Sequence, residues 1–134
     1  MKSVTPVLSL FAITLLIASF AGCDDSNPVS AFQPEIVNNA DAFQFQITHA
    51  SDVTTTLSYR WSNSGTRATI DHSTATLRGA AYVTLFDANG VQVYSSRLLS
   101  SRLDQSAVGA AGNWTVRIAF SDFDGTANFR VEKL

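Results

Sequence analysis

Apolar and polar residues follow two different rules along this chain. Val7 to Phe20 is apolar apart from Ser9, Thr14 and Ser19, and Lys2 sets a positive charge ahead of it. That run falls short of the about 20 apolar residues a spanning helix requires, and it has the length of an export signal's core. From about Asp41 the rule becomes alternation with period two, the mark of strands buried on one face. Phe43, Phe45 and Ile47 alternate with Gln44, Gln46 and Thr48. Leu57, Tyr59 and Trp61 alternate with Ser58, Arg60 and Ser62, and Asn63-Ser64-Gly65 supplies a turn. Further candidates are Ala68–Asp71, Ala81–Phe86, Val91–Ser95, Trp114–Phe120 and Ala127–Val131, which makes seven. Arg97 to Val108 fits either one helical turn, through Leu98, Leu99, Arg102 and Leu103, or a loop with a short strand.

Short strands at this spacing, rich in Thr and Val and separated by turn residues, predict an all-β fold: an antiparallel β-sandwich of seven to eight strands. Register sharpens the expectation. Asp87-Ala88-Asn89-Gly90 reads as a turn closed by a left-handed glycine. Closing it with Asp87 opposite Val91 puts Val83, Leu85, Val91 and Val93 on one face, with Tyr82, Phe86 and Tyr94 on the other. The second face is a candidate binding face. It is either a partly wet recognition surface, with Thr84, Gln92 and Ser96 beside the rings, or a surface covered by Phe32, Ile36 and Val37 of residues 31–40 or by another strand. For Trp114, Val116, Ile118 and Phe120 to share a face with Ala127, Phe129 and Val131, a final hairpin needs an even loop, Ser121–Asp124.

The cysteine count changes the reading of the N-terminus. Cys23 is the one cysteine, and Phe20-Ala21-Gly22-Cys23 resembles the lipobox of bacterial lipoproteins, with Phe20 where Leu is usual. That resemblance implies a thioether-linked diacylglyceryl group on Cys23, cleavage before it, and acylation of the new amino group. Each buried methylene contributes about 0.8 kcal/mol and one chain holds only marginally, so two or three chains make a durable anchor. Residues 1–22 are then a lipoprotein signal peptide, 23–40 a lipidated N-terminus and linker, and 41–134 the sandwich. The implied location is outside the cytoplasm, lipid-anchored at the cell membrane or the outer membrane. In enterobacteria-like sorting, an Asp at the position of Asp24 resembles an inner-membrane retention signal.

Removing 22 of 134 residues leaves 112, enough for one domain with a core. Lys2 leaves with them, so nine Lys and Arg become eight against eleven Asp and Glu, a net charge of −3. A mildly acidic domain with scattered arginines argues against nucleic acid as partner. With its cysteine lipidated the domain has no disulfide, so packing must hold it.

Candidate chemistry is sparse. Asp122-Phe123-Asp124-Gly125 and Asp87-Ala88-Asn89-Gly90 share an Asp-x-(Asp/Asn)-Gly pattern, but neither has the twelve-residue ligand set or closing Glu of a calcium loop. His49 and His72 are the only histidines; Asp71 and His72, being neighbours on a strand, point to opposite faces. No serine lies in a G-x-S-x-G elbow. The expectation is a non-enzyme with no catalytic residue, metal or cofactor.

Gly112-Asn113-Trp114-Thr115-Val116-Arg117-Ile118 with Gly125 and Phe129-Arg130-Val131, and Tyr82–Gly90 before them, resemble the closing strands of bacterial pre-peptidase C-terminal and P-type domains. The resemblance covers residues 80–133 and implies a sandwich that is a non-catalytic appendage of exported enzymes. The function expected is a lipid-anchored binding or assembly module of the cell envelope with a protein or glycan partner. The alternatives are a structural subunit of an envelope complex and, less favoured, a small hydrolase.

Overall fold

A computed structural model describes residues 32–134; the predicted signal peptide, Cys23 and the first part of the predicted linker lie outside the described residues. The described residues form seven strands: β1 (Glu35–Asn39), β2 (Ala42–Asn63), β3 (Ala68–His72), β4 (Ala75–Phe86), β5 (Gln92–Arg97), β6 (Arg102–Gln105) and β7 (Gly112–Lys133). All pairings are antiparallel.

Two strands are 22 residues long and pair with each other from end to end. The segments read as 43–47 and 57–62 are therefore one strand, as are 114–120 and 127–131, and the expected final hairpin does not exist. β3 and β4 lie in line along the other edge of β7. Between them Thr74 replaces the ladder: its Oγ1 donates to Asn128 O at 2.9 Å and accepts from Asn128 N at 3.0 Å. All three long lines bend at one level, folding the sheet into two layers, as strands do when bulges carry them from one sheet into the next. One layer has the order β1-β2-β7-β3-β6, and the other runs β2-β7-β4-β5.

The bend is written in left-handed residues. The β2–β7 register shifts between Ile47 and Thr55, where His49 and Asp52 have φ of 54° and 53° and Asp122 has φ of 44°. Asp and His tolerate that region better than most side chains. The inserted residue near Asp122 does what a hairpin was expected to do. It moves the buried set of β7 from even positions (Trp114, Val116, Ile118, Phe120) to odd ones (Phe123, Ala127, Phe129, Val131), keeping all of them inside. Asp124 Oδ1 accepts from Asp52 N at 2.5 Å and Oδ2 accepts from Arg78 Nε at 2.8 Å, while Arg78 Nη2 reaches Asp52 at 2.9 Å. The Asp122–Gly125 stretch is thus a corner brace. Among the described residues no group of three His, Cys, Asp or Glu side chains is placed to hold a metal ion.

The core fills both layers. Phe45 stacks on Phe129 at 5.5 Å, and Trp61 meets Trp114 edge-on at 5.9 Å. The Trp114 indole donates to Ala110 O at 2.7 Å. Glu35–Asn39, read as linker, is strand β1: Ile36 pairs with Phe45 and packs on the core, while Val37 faces solvent. One inward position in five residues is too weak an alternation to mark an edge strand. Leu98 is buried and Arg102–Gln105 is a short strand, resolving the ambiguous stretch.

Candidate functional site

The central hairpin decides where the predicted face lies. Its turn forms as expected: Asp87 N donates to Val91 O at 2.8 Å, Gly90 has φ of 77°, and Phe86 pairs with Gln92. One residue later the register slips, and Leu85 pairs with Tyr94 instead of Val93. Val91, at the mouth of the turn, is 58% exposed and outside the core, while Val93 is buried. Tyr94 turns inward, so it does not join Tyr82 and Phe86.

Inside, the Tyr94 hydroxyl accepts from His72 Nε2 at 2.8 Å and donates to Asp104 Oδ2 at 2.6 Å. The roles follow from the far end of the chain. Leu99 N donates to His72 Nδ1 at 3.3 Å, so Nδ1 is the acceptor and Nε2 carries the proton. Arg102 Nε completes the run on Asp104 Oδ1 at 2.7 Å. Burial pushes the His72 imidazole below its ordinary value against the opposing pull of Asp104. The Tyr94 hydroxyl holds the Asp104 carboxyl below the usual range, and burial drives the Tyr94 phenol well above its own. Tyr94 belongs to one layer and Asp104 to the other, so the chain latches β5 to β6 on the side opposite the shared strands. Both imidazole nitrogens are engaged. Asp71 points outward while His72 is buried, so those neighbours form no dyad.

The outer face of the β2-β7-β4-β5 layer is where Tyr82 and Phe86 lie. Paired residues share a face, so the register yields three rows across the four strands. The first is Arg60, Thr115, Phe86 and Gln92. The second is Ser58, Arg117, Thr84 and Ser95, in which the Thr84 and Ser95 hydroxyls bond at 3.0 Å. The third is Thr56, Ala119, Tyr82 and Arg97. Tyr82 is 43% exposed, and the Arg117 guanidinium lies 4.6 Å from the centre of the Phe86 ring. β1 pairs along the first half of β2, in the other layer, and does not cover these rows. From the usual strand separation and rise, the rows span about 14 Å by 13 Å.

None of these twelve positions is Asp or Glu, whereas Glu35, Asp71 and Glu132 lie on the outer face of the opposite layer. Sequence reasoning found the two rings and missed Arg60, Arg97 and Arg117. Arg60 and Arg117 are visible as the polar partners of alternating strands, but only the β2-β7-β4-β5 order makes them neighbours.

No protein-family model matches the chain, and no curated protein does. Among solved structures it is similar to a carbohydrate-binding module of Cellvibrio mixtus lichenase 5A in complex with cellotriose: 17% identity over 78% of this chain and 88% of that one, TM-score 0.44. It is similar to the capsular polysaccharide assembling protein CapF of Staphylococcus aureus, at 9% identity over 81% of this chain and 30% of that one, TM-score 0.34. It is also similar to a Bacillus subtilis glycoside hydrolase family 43 arabinoxylan arabinofuranohydrolase in complex with cellotetraose. There the identity is 21% over 71% of this chain and 19% of that one, with a TM-score of 0.28.

Proposed function

We propose that this chain is a lipid-tethered, non-catalytic binding module of the cell envelope that offers the outer face of its β2-β7-β4-β5 layer to a polysaccharide. One observation carries the reading: a rigid, open sheet face combining Tyr82 and Phe86 with hydroxyls, an amide and arginines. A flat ring pairs with the C–H face of a sugar at low entropic cost. Short hydroxyl side chains beside it hydrogen-bond sugar hydroxyls while giving up little rotamer freedom. The non-catalytic reading is supported by His72, whose ring is buried and whose two nitrogens are both spoken for.

The tether rests on Cys23. Cys23→Ser should block acyl incorporation and accumulate uncut precursor, because the chain has no other thiol. Normal processing and membrane retention in that variant would remove the anchor from the proposal. For the face, the mature chain in detergent is exposed to immobilised glycans, with Tyr82→Ala as the comparison. Retention by the wild type and its loss in Tyr82→Ala is expected; equal retention of both would refute the site.

A further inference from the structure

We infer that the ligand of this face is an acidic polysaccharide, one whose sugars carry uronate carboxylates, and this rests on the polysaccharide reading above. The argument is one of charge placement. The mature chain is net acidic, yet the only charged groups in the twelve positions are Arg60, Arg97 and Arg117. Among the described residues every ion pair draws on other cations, namely Arg78, Arg102, Lys133 and His72. The three arginines of the face have no carboxylate partner among the described residues; Arg97 Nη2 donates to the Gly79 carbonyl at 2.8 Å.

Arg117 is the best placed of them. It lies in the middle row between Ser58 and Thr84, with its guanidinium over the Phe86 ring. Stacking of this kind fixes the plane of the fork while leaving its N–H edge free, the arrangement that suits bidentate capture of a carboxylate. Tyr82 stands one row away and one strand over, within reach of a ring linked to the captured uronate. Arg60 lies at the other end of the same diagonal, so an extended chain crossing the face meets Arg60, Arg117 and Tyr82 in turn, two cations and then a ring. An anionic lipid surface is a poorer fit. Three surface arginines contribute only about 1 kcal/mol each there. Moreover, an exposed large apolar side chain suited to enter a bilayer is missing from the rows, Tyr82 apart.

The test uses the mature chain in detergent and three probes: an oligogalacturonate, its fully methyl-esterified form, and a neutral glucan of equal length. Calorimetric titration should show the free acid bound about tenfold or more tighter than the ester, as expected when a charge-assisted bidentate contact is lost. Arg117→Gln should remove that preference, with the thermal midpoint held within about 3 °C. Raising salt should weaken the acid and leave the ester unchanged. Equal affinity for acid and ester overturns the acidic specificity and leaves the polysaccharide reading standing. Failure of all three probes, with binding instead to phosphatidylglycerol vesicles that is lost in Arg117→Gln, overturns both and assigns the face to a lipid surface. Failure of every probe overturns both.

Discussion

Replacing Tyr94 with Phe deletes one oxygen and keeps the ring. That oxygen accepts the His72 Nε2 proton at 2.8 Å and donates to Asp104 at 2.6 Å. A hydrogen bond to a charged group contributes about 1.5–3 kcal/mol, and a buried donor left unpaired costs about 1–3 kcal/mol. The His72 side chain is fully buried, so its N–H finds no water once the hydroxyl is gone. The two costs share one atom and overlap, giving a destabilisation of about 2–4 kcal/mol. Tyr82 sits on the open face, and Tyr82→Phe should stay within about 0.5 kcal/mol of the wild type. Urea unfolding of residues 31–134, followed by the fluorescence of the buried Trp61 and Trp114, reads both variants on one scale. Measurement at pH 8 keeps His72 neutral. A double-mutant cycle with Asp104→Asn should show coupling of about 1 kcal/mol or more. Equal small effects from both tyrosines, or no coupling to Asp104, would mean that β5 has no bulge and that Tyr94 lies outside, as period-two alternation had it.

Three further outcomes follow from the same geometry. Burial holds the folded His72 below 6.5, so near and below that pH the unfolded chain binds more protons: stability is full above about pH 6.5 and falls on acidification, a slope that His72→Gln should flatten in urea midpoints between pH 5 and 7. The carboxylates held below 3.8, Asp41, Asp87, Asp104 and Asp124, lose their contribution only at still lower pH. Gly125 has φ of 139°, and a Cβ there would lie 2.1 Å from Ala75 O, so Gly125→Ala should cost about 2 kcal/mol or more in chemical unfolding or fail to fold. Trp114→Ala should cost about 3–5 kcal/mol by the same assay, since the ring is fully buried and its N–H anchors Ala110.

What was legible in the sequence is what alternation encodes. Each of the long paired strands shows which side is buried, and Trp114, Val116, Ile118, Phe129 and Val131 are core because hydrophobic positions recur every second residue. The pairing partners were not legible. Thr48 to Thr56 looks like a break between two strands, because the apolar pattern lapses there; the backbone instead continues through His49 and Asp52 and bends. Likewise Ser121–Asp124 has the composition of a loop, and only the close approach of Gly125 to Ala75 and of Gly79 to Asp122 shows that it is a corner pressed against β4.

The candidate face was half legible for the same reason. Alternation is a local rule, and a single inserted residue reverses it for everything downstream. On β7 the reversal leaves a trace, because the apolar positions switch from even to odd across Asp122 and no unbulged strand can bury both sets. On β5 it leaves none, because Val93 and Tyr94 are both able to face inward and Asp104 and His72 supply polar partners for the second of them. The bulge took Tyr94 away from the face. The strand order put Arg60, Arg97 and Arg117 there, three residues from three different strands. A surface of this kind is composed by tertiary pairing, so its rings can be guessed from one hairpin, but its charge appears only when four strands are laid side by side.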